Sequence, residues 1–500
     1  GFRPGMRRGL MLGLVVFVCT NLRCEGQTPS IPILSDALYF SGTFNKFNAS
    51  TLVQTSAPLK GIGQIANGSV VELGFGLDLP SEGLSMAPHP SGVGVYVAGA
   101  FSLANDEEVA RVSLIMNGSM SPVDLGTSNT VLTIQVHEPS GLLYVGGLFS
   151  EATGVAVGYV TSWDGNEWDP MGGGVSMGFD CAASEAGTTP TRQPSVHALQ
   201  LMGGDADANY LDSPTKPKVF VGGHFSTAGV GGDAVVANNI AMWDPQTGKW
   251  ESLCDPLPPN RCNIQGVAGD ERRQDVQYPI VFALALHEPS NRLFVGGVYA
   301  SAGQKHHYVD ALSSFNLVTK AWSRVGGGVA GRNPIVYSLV VKGDFMYVGG
   351  SFQHVAKTNR DSFTPGIRSH SVAILDASTD TWTGTTDTLG EATVYSVAVG
   401  PSGNLYAGGD FSTITVSGEA VSAAGLAFYT EADGWRSVFA DGAGLNGAVH
   451  AVHAQEFAVE TVVSTRLVGA YASSRPPPSL LMACILSAST LLAALHSGGG

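Results

Sequence analysis

Charge is what this chain has least of. Asp, Glu, Lys and Arg make up 13% of its 500 residues, about half the usual share of roughly 25%. Basic residues are the scarcer kind, 26 against 41 acidic, giving a net charge of −15. Nucleic-acid binding needs clustered Lys and Arg, so the balance argues against DNA or RNA as a partner. Low charge beside many β-branched and aromatic residues excludes a disordered chain. Long apolar runs are missing between Gln27 and Tyr471, so nothing in that span reads as a membrane helix. Catalytic signatures are missing too: there is no Gly-x-Ser-x-Gly elbow and no His-Glu-x-x-His. Lys305-His306-His307-Tyr308 offers one adjacent histidine pair without further ligands. Asp205-Ala206-Asp207-Ala208-Asn209 begins like a calcium loop but lacks its glycine at position six and glutamate at position twelve. No catalytic, cofactor-binding or metal-binding residue is nominated, and a non-enzymatic role is favoured.

The two ends differ from the middle. From Met6, Arg7-Arg8 precedes the apolar run Leu10 to Cys19, and Cys24-Glu25-Gly26 places small residues at −3 and −1. This predicts a signal peptide over 6–26, cleaved before Gln27. Near the C-terminus, a Pro-rich stalk over 472–479 leads into a tail over 480–500 with the apolar run Leu480 to Leu495. At about 1.5 Å per residue that run reaches roughly 24 Å, short of a hydrocarbon core of about 30 Å. No Lys or Arg follows it. The pattern predicts either a GPI-attachment signal, with Ala472 or Ser473 as the attachment residue, or a short membrane anchor. Both place the intervening chain outside the cell, held at the membrane.

Cysteine is sparse for a secreted chain, with six in all. Cys19 and Cys24 fall in the signal and Cys484 in the tail, leaving Cys181, Cys254 and Cys262. Cys254 and Cys262 bracket a proline-rich loop that a local disulfide would close, while Cys181 could compete for either. Asn48, Asn67 and Asn117 head N-glycosylation sequons.

What is abundant is glycine, 65 residues, and it recurs in one phrase. The clearest copy is Leu143-Tyr144-Val145-Gly146-Gly147-Leu148-Phe149. Seven copies place their second small residue at Gly42, Gly99, Gly147, Gly223, Gly297, Gly350 and Gly409. Such recurrence marks a repeat architecture. An alternating segment precedes most copies, as in Val281 to Leu286, and predicts a strand A before the Gly-Gly strand B. A third strand and a tryptophan-led fourth follow, as in Asn239 to Trp243 and then Trp250. All seven tryptophans lie in these C–D hairpins. They are expected to fill the gaps between neighbouring sheets, with the glycines letting them approach.

Gly-Gly, a following aromatic-Asp pair and then Trp resemble the kelch family. Phe225-Ser226-Thr227-Ala228-Gly229 and Asn239-Ile240-Ala241-Met242-Trp243-Asp244 are more similar to the repeats of fungal cortical-marker proteins for bud-site selection. The resemblance covers residues 35 to 470, with the first two repeats lacking tryptophan. It implies an all-β, seven-bladed β-propeller over 27–471, built of four-stranded antiparallel blades. It also implies a secreted, membrane-anchored surface protein. A last strand A, Val449 to Ala454, follows the seventh copy and would complete the first blade. Arg466 to Tyr471 is a degenerate copy that could start an eighth.

Up-and-down strands put A–B and C–D turns at one end, and B–C and D–A loops at the other. The second end carries the long loops, so a protein or glycan ligand is expected there. The favoured reading is a membrane-tethered scaffold without cofactor at the cell surface. The alternative is a secreted propeller enzyme, a copper-radical oxidase or glycan-active hydrolase, whose pocket would converge His, Tyr and Cys near the axis. Peptide mapping without reduction should recover Cys254 and Cys262 in one disulfide-linked fragment; separate free-thiol peptides would refute the pairing.

Overall fold

The computed structural model describes residues 36–456 apart from short stretches, the longest being 49–59, 179–192, 204–215, 255–265, 270–277 and 357–365. Within these bounds the chain is all-β. Its helical content is three single 3-10 turns, Met171–Gly173, Gly231–Asp233 and Glu288–Ser290. No helix among the described residues is long and apolar enough to cross a membrane. The signal, stalk and tail expected at 6–26, 472–479 and 480–500, and the degenerate copy at Arg466–Tyr471, lie outside the described residues.

Seven four-stranded antiparallel sheets are present among the described residues, each with strands in the spatial order A-B-C-D. In the fourth, Ser195–Met202 pairs with Lys218–His224, then Ile240–Asp244, then Lys249–Ser252. The first sheet is assembled from both ends of the described chain. Val449–Glu456 lies antiparallel against Asp36–Gly42, with Phe40 opposite Val452. The A strands of successive sheets lie against one another, and the series returns from the seventh sheet through Val449–Glu456 to the second. This is a propeller-like arrangement with A strands innermost. Their free edges are partly satisfied across the ring: Ile134 N donates to Ser85 Oγ at 3.1 Å, Leu201 N to Gln135 Oε1, Val397 N to Ser338 Oγ and Val452 N to Ser396 Oγ. Side chains thus cap edges that would otherwise offer unpaired groups.

The Gly-Gly phrase has a different cause from the one its sequence suggests. A Cβ on the first glycine would strike the next sheet's A strand, not a tryptophan. At Gly222 it would lie 2.5 Å from Val281 Cγ1, at Gly296 2.5 Å from Val336 Cγ1, and at Gly146 2.4 Å from Val196 Cγ1. A Cβ on the second glycine would strike backbone of its own sheet. At Gly223 it would lie 2.0 Å from the Ser195 carbonyl oxygen, and at Gly297 2.1 Å from that of Ile280. Gly42, Gly99, Gly147, Gly350 and Gly409 meet the same obstacle at 1.9 to 2.3 Å. Opposite each of the seven, the A-strand register slips by one residue, as between Val281 and Ala283 or Val196 and Ala198. The repeated glycine therefore faces a repeated β-bulge.

Tryptophans do fill the gaps between sheets. Trp250 Nε1 donates to Met171 O at 2.8 Å, Trp322 Nε1 to Leu253 O at 3.0 Å and Trp382 Nε1 to Gly326 O at 2.7 Å, each reaching the sheet before its own. A buried tryptophan removes roughly 200 Å² from water, about 5 kcal/mol at ~25 cal/mol per Å² before entropy. Its hydrogen bond adds about 1 kcal/mol net, so packing dominates. Register within the C–D hairpins follows the sequence spacing: Trp243 faces Trp250, Phe315 faces Trp322 and Leu375 faces Trp382. In the last hairpin the partner of Trp435 is Tyr429 rather than Phe428.

Substituting Gly223→Ala should lower stability by about 3 kcal/mol, because backbone must move to admit the methyl. Gly232→Ala, where an added Cβ meets nothing within 4 Å, should be near neutral. Urea unfolding midpoints of the two variants check this; equal midpoints would contradict the close approach.

Candidate functional site

A bulge leaves one residue out of the ladder, and here that residue faces the axis. The unpaired positions are Leu84, Leu132, His197, Phe282, Tyr337, Tyr395 and His450. All seven are partly exposed. Five of them form a continuous belt of rings. His197 lies edge-on to Phe282 at 5.0 Å between centroids, Phe282 is 5.2 Å from Tyr337, Tyr337 5.4 Å from Tyr395, and Tyr395 4.9 Å from His450. Leu132 and Leu84 complete the circuit on the third and second sheets. Nothing in the period-two reading of strand A marks these residues, because that reading assumes an unbroken ladder.

Burial keeps the belt neutral. Desolvation lowers His197 to about 4, with His224 nearby adding to the effect. Desolvation also lowers His450, opposed by the Glu82 and Asp410 carboxylates. Tyr337 and Tyr395 are pushed up by burial, Tyr395 further by Asp410. Asp410 ends the B strand of the seventh sheet, opposite Thr393 and exposed. It also borders a cavity of about 580 Å³ at the loop end of the seventh sheet, lined by Phe411, Ser412, Thr413, Ser422, Leu445 and Asn446 among others.

The B–C and D–A loops stand around this mouth and are stitched together. Val175–Ser176 leaves the third sheet and pairs with Thr227–Ala228, from the B–C loop of the fourth. Val267–Ala268 pairs with Ser301–Ala302, Val329–Ala330 with His354–Val355, and Gly444–Leu445 with Phe47–Asn48 in the same manner. These four D–A connections are thus joined to the B–C hairpin of the next sheet. Exposed apolar side chains concentrate here: Leu103, Leu125, Val155, Val230, Val236, Tyr278 and Ile367 are on these loops. Val318 and Phe345 are the exposed large hydrophobics of the other end among the described residues. Seven of the nine exposed large hydrophobics among the described residues thus lie at this end.

The sites named from sequence are distributed differently. Cys254 lies on a narrow, mostly apolar cavity of about 270 Å³ between the fourth and fifth sheets, with Phe220, Met242 and Phe315. Cys262 and Cys181 are outside the described residues, as are Asn67, Asn117, Ala472, Ser473, Asp205–Asn209 and Lys305-His306. The strands flanking Asn67 and Asn117 pair up to Ala66↔Ser69 and Met116↔Ser119, leaving a two-residue Asn-Gly link in each case. Asn48 is in the short strand Phe47–Asn48. His307-Tyr308 pairs with Ser301–Ala302.

Two histidines and two tyrosines do reach the axis. His197 and His450 nevertheless stand at opposite ends of the chain of rings, with Phe282, Tyr337 and Tyr395 between them. No group of three or more His, Cys, Asp or Glu that could hold a metal occurs among the described residues.

No known protein-family profile matches the chain, and no curated protein matches it. Among solved structures it is similar to the extracellular domain of a one-component system from B. thetaiotaomicron, with 11% identity and a TM-score of 0.40. That alignment covers 79% of this chain and 45% of the other, so this chain spans under half the length of that relative. It is also similar to U3-55K, with 11% identity and a TM-score of 0.38, covering 75% of this chain and 84% of that one. Both likenesses are distant, and the fold rests on the strand pairing described above.

The desolvated histidines make stability depend on acid. Unfolding returns His197 and His453, both lowered to about 4 by desolvation, to the ordinary value of 6.5. Between about pH 6.5 and 4 the unfolded chain therefore binds more protons, and stability is lost as pH falls through that window. His197→Phe should flatten part of the loss, since a phenyl extends the belt without titrating. Urea midpoints at pH 7.5 and 5 would check this; an unchanged pH difference in the variant would count against a neutral, desolvated His197.

Proposed function

We propose that this protein is a seven-bladed, kelch-type propeller held outside the cell by its C-terminus. Its B–C and D–A end is a binding surface for a protein or glycan at the cell surface. The observation that carries this reading is the gathering of one end's features: stitched loops, seven exposed apolar side chains, a ring-lined mouth and a cavity beside it. Together they offer exposed apolar side chains around a ring-lined centre on a rigid scaffold, where loops usually carry recognition. The opposite end, formed by short A–B and C–D turns, offers little comparable. Export by the signal at 6–26 and retention through the tail at 480–500 complete the proposal. The stalk Arg475 to Ser479, rich in proline, would keep the ring clear of the bilayer.

Deleting residues from Arg475 onward should release protein into the medium. Phospholipase release of the full chain would identify a GPI anchor, and a need for detergent a membrane helix. Intact protein free in the medium with residues 480–495 attached would overturn the tether. Labelled released protein should then bind the outer surface of the cells that make it. Leu125→Asp with Val230→Asp should weaken that binding about tenfold, the size of a modest interface hot spot. Val318→Asp at the other end should leave it unchanged. Equal binding by all three would overturn the assignment of the surface.

A further inference from the structure

We propose that the axial mouth beside Asp410 receives an exposed basic side chain, arginine or lysine, from a partner polypeptide. This rests on the loop-bearing end being the binding surface, and it specifies the ligand's chemistry there. Phe282, Tyr337 and Tyr395 present three successive rings, partly exposed on the inner circuit. The negative face of an aromatic ring attracts a cation within about 6 Å of its centroid. The formal charges that bear on this stretch of the belt are carboxylates: Asp410 acts on both Tyr395 and His450, and Glu82 acts on His450. His197 and His450 are held toward the neutral form by burial, so near pH 7 neither imidazole places a competing positive charge on the belt.

A neutral sugar or an aliphatic side chain could use the rings. An aliphatic side chain would leave the carboxylates unused and a neutral sugar would offer them hydroxyl hydrogen bonds without charge, whereas a basic side chain adds charge attraction while its aliphatic stem lies along the apolar surface. The cavity that begins at Asp410 suits the flanking peptide. Its Ser412, Thr413 and Ser422 hydroxyls are hydrogen-bonding groups of the kind that hold an extended backbone. A net charge of −15 would draw a basic segment toward the protein at long range.

The test uses the full chain, purified in detergent, and three blocked pentapeptides: Gly-Gly-Arg-Gly-Gly, its lysine counterpart and its glutamine counterpart. Calorimetric titration should show saturable arginine-peptide binding with a Kd of about 1 mM or tighter. The glutamine peptide should bind at least about tenfold more weakly, the size of one desolvated cation–π contact. Asp410→Asn, an exposed and structurally mild change, should weaken the arginine peptide several-fold. Tyr395→Phe should retain its binding and Tyr395→Ala should lose it. Indistinguishable arginine and glutamine peptides, or arginine binding that survives both Asp410→Asn and Tyr395→Ala, would overturn the proposal. If cell-surface binding persists while the arginine peptide shows no preference, this inference falls and the binding surface stands. If surface binding ignores the loop-face substitutions as well, the broader reading falls with it.

Discussion

The contact between the second glycine of each Gly-Gly pair and the A-strand carbonyl opposite it is the constraint on which the rest depends. At Gly223 the space for a Cβ is already occupied by the Ser195 carbonyl oxygen at 2.0 Å. That approach belongs to a β-bulge, and the bulge sets two things at once. It turns the A strand so that residues three apart face the same neighbour: a Cβ at Gly222 would meet both Val281 and Leu284, and one at Gly296 both Val336 and Leu339. It also ejects the intervening residue, Phe282 or Tyr337, from the ladder. Packing between sheets and composition of the axial belt thus come from a single backbone feature.

Tryptophan supplies the second set of connections, farther from the axis. The indoles of Trp250, Trp322 and Trp382 each wedge against the preceding sheet and donate to its backbone. Trp168 does the equivalent with the Asp124 carboxylate at 3.0 Å. The first sheet has no tryptophan to play this part. There Phe40 and Phe44 pack together at 5.4 Å in a cluster that joins the first and seventh sheets. The closing strand Val449–Glu456 adds backbone pairing between the two ends of the described chain. The ring is therefore joined by large aromatic wedges around most of its circumference, and by main-chain hydrogen bonds where it closes.

Much of this was legible in the sequence because repetition averages out local ambiguity. One small-Gly pair says little, whereas seven with a shared aromatic two residues on define a strand type. The spacing of Trp243 and Trp250 read directly as a hairpin register, and the surplus strand at Val449 read as the closing one. What could not be read was the bulge. Val281-Phe282-Ala283-Leu284-Ala285-Leu286 looks like clean alternation, which would set Val281 and Leu284 on opposite faces; the structure puts both against the fourth sheet. Period-two reasoning fails wherever one residue is inserted into the ladder. It fails here at the seven positions that make the belt. The glycines were recognised, but their cause was misassigned to tryptophan, since a sequence shows what is small without showing what is near.

This failure carries a physical consequence. A bulge residue is excused from sheet packing: it must project from the inner strand, but no neighbouring core constrains its size or polarity. The framework position preceding it is nearly uniform, Val at 131, 196, 281, 336, 394 and 449 with Gly83 in the second sheet. The ejected positions vary from Leu to His to Phe to Tyr. Seven near-equivalent backbones therefore display an asymmetric circuit, apolar on the second and third sheets and ring-lined from the fourth round to the first. The Asp410 and Glu82 carboxylates act on the His450 side of that circuit. The inner circuit therefore has rings on one side and leucines on the other even though the sheets repeat, so the proposed ligand would meet different surfaces in different orientations. Packing between sheets and the lining of the inner circuit are set by different residues of the same strand, so the proposed recognition could change while the framework is kept.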